Sequence, residues 1–348
     1  MLRWGFAAQQ RRPPRAEGDA VGGARRVGGH RARVSRLAAR PRSAAFHRAR
    51  GRWILPRVIV DMHAHFEPRM LDLDAVVAKM NAAGVDKVAL IPAMNDPLPE
   101  TPERLLSAMR ALMRSRATRP LAELAHRATL TRGGDLRLGR AVHRIYPRPD
   151  NASVAAALAR HPTRLLGWIF LNPRDNPSVL DELERWRATP GMVGLKLHPH
   201  WHDYRTDLLD PILARAQELR LPVLIHLGFR ARGDHRAIAS RFPRLVVIAA
   251  HAGFPLYDDL WRHARDCPNL HVDLSSPYLD ERLARAAVAA MGPARCLYGT
   301  DAPYGFHGDD GTYDYGAIRR WVERMPVSSA EREAILGGNF ARVLDAAR

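Results

Sequence analysis

Eight short apolar runs recur along the chain from Val58 onward: Val58–Met62, Lys87–Pro92, Leu165–Leu171, Met192–Leu197, Pro222–Leu227, Leu245–Ala250, Leu270–Leu274 and Arg295–Gly299. Runs this short and this continuously apolar read as strands buried on both faces, as in a parallel sheet covered by helices. Helix-like segments lie between most of them. Leu73 to Ala83 closes on Gly84, Asn176-Pro177 reads as an N-cap and first helical position, and Asp207 to Arg220 carries apolar residues at helical spacing. Eight strands alternating with helices over about 290 residues predict an α/β chain folded as a (β/α)8 TIM barrel. A doubly wound open sheet competes, but no glycine-rich phosphate loop follows the first strand.

One connection is too long for a simple barrel. Roughly seventy residues separate Pro92 from Leu165, so the domain at 58–348 is expected to carry a lid-like insertion at about 93–164. It contains helix-like Thr101 to Arg116 and a basic, glycine-broken stretch from Thr118 to Pro149. For Arg132 to Arg140 a poorly ordered surface excursion is an equal alternative.

Charge is distributed unevenly. The net charge is +18, but residues 1–57 hold fifteen arginines against Glu17 and Asp19, so +13 lies there and +5 in the remainder. That Arg-, Ala-, Gly- and Pro-rich segment cannot bury enough apolar surface to offset the entropy of ordering, and it reads as a disordered tail. It is a nucleic-acid arm, a targeting peptide, or upstream sequence translated from an early start; the last reading is favoured, with the protein proper beginning near Val58. No apolar stretch after Arg11-Arg12 suits an export signal, and Cys267 and Cys296 show no C-x-x-C spacing. A cytoplasmic protein is expected, acting on a small-molecule substrate rather than a membrane or nucleic acid, with a homodimer compatible with the chain.

Polar residues fall at the strand ends. The first run leads into His63-x-His65, whose side chains share one face of a strand and can bind one ion together, although a pair of surface histidines is the blander reading. Other runs end in Lys196-x-His198, His226, His251 and Asp301. A barrel gathers strand ends at one mouth, which makes these residues neighbours. Imidazoles and a carboxylate suit zinc or a related divalent ion, manganese among them, with an open position for water. Trp201, Tyr204, Phe229, Phe254 and Tyr304 are candidate pocket walls, and Arg205, Arg230 and Arg232 are candidate carboxylate partners. Glu67 either supports the histidine pair or belongs to the turn after it. His126, His143, His161, His235, His263 and His307 read as structural.

At these motifs, Val-Asp-Met-His63-Ala-His65, Gly194-Leu-Lys-Leu-His198-Pro, Val-Leu-Ile-His226, Ala-His251-Ala-Gly-Phe-Pro255, Gly-Thr-Asp301-Ala-Pro303-Tyr and Ile335-Leu-Gly-Gly-Asn339-Phe, the chain resembles the amidohydrolase superfamily. The resemblance is to its amidohydrolase-related branch of metal-dependent hydrolases and decarboxylases similar to aminocarboxymuconate semialdehyde decarboxylase, and it runs from about Val58 to the C-terminus. It implies His63, His65, His226 and Asp301 as ligands of one divalent metal, zinc in the first instance. It implies Asp301 as general base and His251 as the group that bonds the metal-bound water or the substrate oxygen. Lys196, His198 and Tyr304 then line the substrate pocket, a carboxylated Lys196 bridging two ions being the alternative. Both activities of the branch use the same ligands. Hydrolysis of an amide, ester or lactone is favoured, on the lysine motif and the lack of an arginine clamp; non-oxidative decarboxylation of an aromatic or unsaturated carboxylate is the alternative.

Overall fold

A computed structural model describes residues 58–308 and 312–347, together with a short antiparallel pair, Arg48–Ala49 with Arg52–Trp53. The chain divides into Met1–Pro56 and Arg57–Arg348. The tail expected at 1–57 otherwise lies outside the described residues.

The second unit is the expected barrel. Its strands are β1 (Val60–Phe66), β2 (Lys87–Pro92), β3 (Leu165–Phe170), β4 (Met192–Leu197), β5 (Val223–Ile225), β6 (Val247–Ala249), β7 (Leu270–Asp273) and β8 (Cys296–Leu297). They form one parallel sheet in sequence order. The sheet is drawn closed by backbone bonds between β1 and the chain around β8: Met62 N donates to Tyr298 O at 3.0 Å, and Asp301 N to His63 O at 2.7 Å. β1 is longer than its apolar run and continues through both histidines, with a register shift between Asp61 and Ala64 against β2. A bulge of this kind re-aims side chains beside a site.

Two apolar layers hold the barrel. The larger lies between strands and helices; the smaller fills the barrel's interior with Met62, Ile91, Trp168, Phe170, Leu224, Ile248 and Leu297. Trp168 is fully buried and donates its indole N–H to Met62 O at 2.8 Å, which satisfies its one polar atom. Gly194 makes room for it, since a Cβ there would sit 2.5 Å from the Trp168 ring and 2.5 Å from Pro222 O. The helix Asn339–Ala346 closes the far end, placing Phe340 5.9 Å from Trp168.

Local structure departs from expectation in four places. Helix α1 (Leu73–Ala83) is as read, with Asp72 accepting from Ala75 N at 2.8 Å and Gly84 at φ 62°. The insertion is structured: α2 (Glu103–Arg114), α3 (Arg119–Ala128) and a hairpin of Leu136–Leu138 with Ala141–His143. Asp135 pins that hairpin, accepting from Ile145 N at 3.1 Å, so the excursion at Arg132 to Arg140 is ordered. The insertion also ends earlier than 164, because α4 (Asn151–Arg160) is a barrel helix with Val154 and Leu158 in the core. Helix α5 (Val179–Arg187) starts at an N-cap of Ser178; Asn176 instead accepts from Ser178 N at 3.0 Å, forming a local turn before it. The segment read as one helix from Asp207 to Arg220 is a 3-10 turn, Thr206–Leu209, leading into a helix of Asp210–Glu218. No helix among the described residues is long and apolar enough to cross a membrane.

Candidate active site

At the carboxyl ends of the strands the polar residues converge. His63 and His65 lie on one side of β1 with rings 5.5 Å apart. Lys196 ends β4 beside His198, and His226, His251 and Asp301 follow β5, β6 and β8. All seven are buried. His251 and Asp301 hold φ of 54° and 62°, a region uncommon for residues with a Cβ and concentrated at functional turns. Gly299 allows β8 to close on them, since a Cβ there would lie 2.9 Å from His63 Cβ.

Hydrogen bonds set the tautomers. His63 Nδ1 is 2.9 Å from Asp273 Oδ2, and a carboxylate only accepts, so Nδ1 carries the proton. His63 Nε2 is left as a lone pair, 3.5 Å from Asp301 Oδ1 and 3.4 Å from Lys196 Nζ. Ser275 donates its one hydroxyl proton to Asp273 and therefore accepts from His251 Nδ1 at 2.8 Å. His251 Nε2 is thereby that ring's free nitrogen. Asp61 braces the floor, accepting from Thr300 Oγ1 and Tyr315 OH, each at 2.6 Å, and from His63 N at 3.0 Å. Burial pushes the Asp61 carboxyl up to about 7 against those bonds.

Burial also dictates charge. It drives His63 down to about 3, helped by the nearby Lys196 charge, and holds His198 and His226 well below the ordinary imidazole range. Burial lowers Lys196 to about 8, while Asp273 and Asp301 pull the other way. For Asp301, burial acts to raise the pKa, but His251, His65 and His63 outweigh it and keep the carboxylate ionised. Asp273 is likewise held low by His63 against its burial.

Neutral imidazoles around an ionised carboxylate are the donor set of a divalent cation. The donor atoms of His63, His251 and Asp301 lie within 4.8 Å of one another. His65 Nε2 flanks them at 3.3 Å from Asp301 Oδ1, and the His226 ring is 4.7 Å from His251. His226 Nε2 is buried with no hydrogen-bond partner among the described residues. Burying an unpartnered nitrogen is costly unless a ligand meets it, so these residues fit a metal ion. Two of the four implied ligands, His63 and Asp301, thus belong to the compact group. His251, implied as a partner of substrate or water, stands as close to its centre as they do.

A pocket of about 280 Å³ opens over this cluster. Lys196, His198 and Tyr304, read as substrate contacts, are among its lining residues. Of the five aromatic residues read as walls, Trp201 and Tyr304 line it; Tyr204, Phe229 and Phe254 are packed into the core instead. Tyr278 and Phe306 supply the further aromatic surface. The three arginines read as carboxylate partners are engaged elsewhere: Arg205 with Asp207, Arg230 with Glu123 and Arg232 with Asp203. Glu67 accepts from Arg69 within the turn after β1. Sequence reasoning missed Asp273, although it ends β7 as the other site residues end theirs. It also missed His200, whose ring stacks 5.1 Å from His226 on one side and 4.2 Å from His126 on the other. The alternation His198-x-His200-x-His202 was the available signal.

The amidohydrolase family model matches residues 60–346, and the chain belongs to that family. Among solved structures it resembles an uncharacterised TIM-barrel protein from Bordetella bronchiseptica, with 17% identity, a TM-score of 0.55, and coverage of 83% of this chain and 99% of that one. It also resembles a 5-carboxyvanillate decarboxylase from Novosphingobium aromaticivorans complexed with manganese, at 16% identity and TM-score 0.54, covering 83% and 96%. A dihydroxybenzoic acid decarboxylase from Polaromonas with bound manganese and 2-nitroresorcinol matches at 18% identity and TM-score 0.53, covering 84% and 98%. These likenesses show the fold. No curated protein matches the chain.

Proposed function

We propose that the protein is a metal-dependent carboxy-lyase that removes carbon dioxide, without oxidation, from an aromatic or unsaturated carboxylate. The carrying observation is Lys196, a fully buried cation on the pocket floor with no carboxylate within ion-pair distance among the described residues. A buried, unpaired charge is expensive, and a substrate carboxylate would neutralise it. The case for hydrolysis rested partly on the lack of an arginine clamp; Lys196 supplies that cation itself. Aromatic walls and structural neighbours named for aromatic-acid decarboxylation support the same reading.

His63, His65, His226 and Asp301 would hold the ion, zinc or the manganese named for two neighbours. Once bound, such a cation acts as a Lewis acid on substrate oxygen atoms. Lys196 orients the carboxylate by charge, and Trp201 and Tyr304 place the unsaturated carbon skeleton and exclude water. When the bond to the carboxylate carbon breaks, its electron pair stays on the substrate carbon, which then needs a proton. His251 Nε2, with Nδ1 held by Ser275, is positioned to deliver that proton once charged. The two unpaired cysteines suit a reducing compartment such as the cytoplasm.

The test is turnover of metal-loaded protein against aromatic carboxylates, lactones, esters and amides, read as carbon dioxide and as hydrolysis products. Carbon dioxide from a carboxylate is expected; hydrolysis without it would return the reading to a hydrolase.

A further inference from the structure

We propose that the pocket selects a monocarboxylate whose far end carries a neutral hydrogen-bond donor, with Lys196 receiving the carboxylate and Glu100 the donor. The inference rests on the carboxy-lyase reading and adds the second end of the substrate.

Charge along the pocket is one-directional. Among the described residues Lys196 is the one lysine in its lining and no arginine lines it, so the cationic side chain and the proposed metal position both lie at the floor and neither lies at the mouth. The mouth is acidic instead, lined by Glu100 and Glu103. Glu103 is spent on Arg110, whereas among the described residues the one ion-pair contact of Glu100 is with His307, at 3.5 Å between Oε1 and Nδ1. Glu100 sits in Pro97-Leu-Pro99-Glu-Thr-Pro102, where three prolines fix φ and limit the retreat of its carboxylate. The loop is also wall, because Leu98 and Pro99 line the pocket beside it. A second carboxylate on a ring seated at Lys196 would approach Glu100 with no guanidinium to separate the charges. Like charges several ångströms apart at a partly solvated mouth cost about tenfold in affinity. An amine or hydroxyl there would donate to Glu100.

The experiment measures binding of 4-aminobenzoate, 4-methylbenzoate and benzene-1,4-dicarboxylate to the metal-loaded protein by calorimetry, with carbon dioxide release followed in parallel. The amino compound should bind best and the dicarboxylate about tenfold or more below the methyl compound. In Glu100→Lys the dicarboxylate should gain at least tenfold relative to the amino compound, with the methyl compound as reference. Equal affinity for mono- and dicarboxylate, an order unmoved by Glu100→Lys, or no binding of any of the three would overturn the proposal. The expected binding order without carbon dioxide from any acid would uphold it and sink the carboxy-lyase reading alone. Carbon dioxide released fastest from the dicarboxylate would do the reverse.

Discussion

At the floor of the pocket His63 is 0% exposed and tied to Asp273, whereas at the mouth Glu100 is 67% exposed and, among the described residues, faces His307 at 3.5 Å as its one ion-pair contact. The floor is carried on strands whose positions are set by two apolar layers, and its polar atoms are committed to partners or left for a ligand. The mouth is carried on the loop after β2. Rigid strands suit groups that must hold an ion and move a proton, where small misplacements are costly, while loops can change specificity without disturbing the chemistry. Floor substitutions should therefore act on turnover and metal, and mouth substitutions on substrate affinity.

The largest effect is expected from His63→Ala or Asp301→Asn, with kcat falling at least about 10³-fold and bound metal lost in elemental analysis. Full activity of Asp301→Asn would break the contrast outright. Next, Trp168→Ala should cost about 3–5 kcal/mol in urea unfolding, since it empties the layer beneath the floor; a cost under 1 kcal/mol would mean that this layer does not support the site. Asp273→Asn should lower metal affinity about 10- to 100-fold, because an amide can donate to His63 Nδ1 and favour the wrong tautomer. Unchanged affinity would assign Asp273 to packing.

Acid should act on the floor and on buried histidines outside it. His63 at about 3, and His126 and His202 at about 4, all sit below the 6.5 of a free imidazole, so the folded state binds fewer protons than the unfolded chain. Their contribution is complete above pH 6.5 and is lost as pH falls from 6.5 toward 3–4, at about 1.4 kcal/mol per pH unit per group. Urea midpoints of metal-free protein, flat from pH 7 to 4.5, would contradict this burial. The smallest effect belongs to the mouth: Glu100→Gln should change KM two- to fivefold and leave kcat within twofold.

Much of this was legible beforehand because parallel strands buried on both faces write themselves as continuous apolar runs. Leu165 to Leu171 or Leu245 to Ala250 needs no tertiary information to be recognised, and barrel topology then makes strand ends neighbours. Other features depended on side-chain bonds and packing that periodicity does not carry. The hairpin at Leu136–Leu138 is pinned by Asp135 accepting from Ile145, and Ser178 holds the N-cap position of α5 without a side-chain bond while Asn176 makes a turn. Phe254 and Trp201 both follow strand ends, yet Phe254 stacks on Tyr278 at 4.2 Å and only Trp201 reaches the pocket.

The sequence by itself determined the barrel, the place of its site and the types of donor, because periodicity and strand-end chemistry are local properties. Only the tertiary structure decided that Asp273 and Ser275 set the tautomers of His63 and His251, that a donor atom of His251 lies within 4.8 Å of those of His63 and Asp301, and that Lys196 is buried in the pocket while Glu100 lines it from an exposed loop. Those are relations between residues far apart in the chain, and they exist only once closure of the barrel brings the strand ends together.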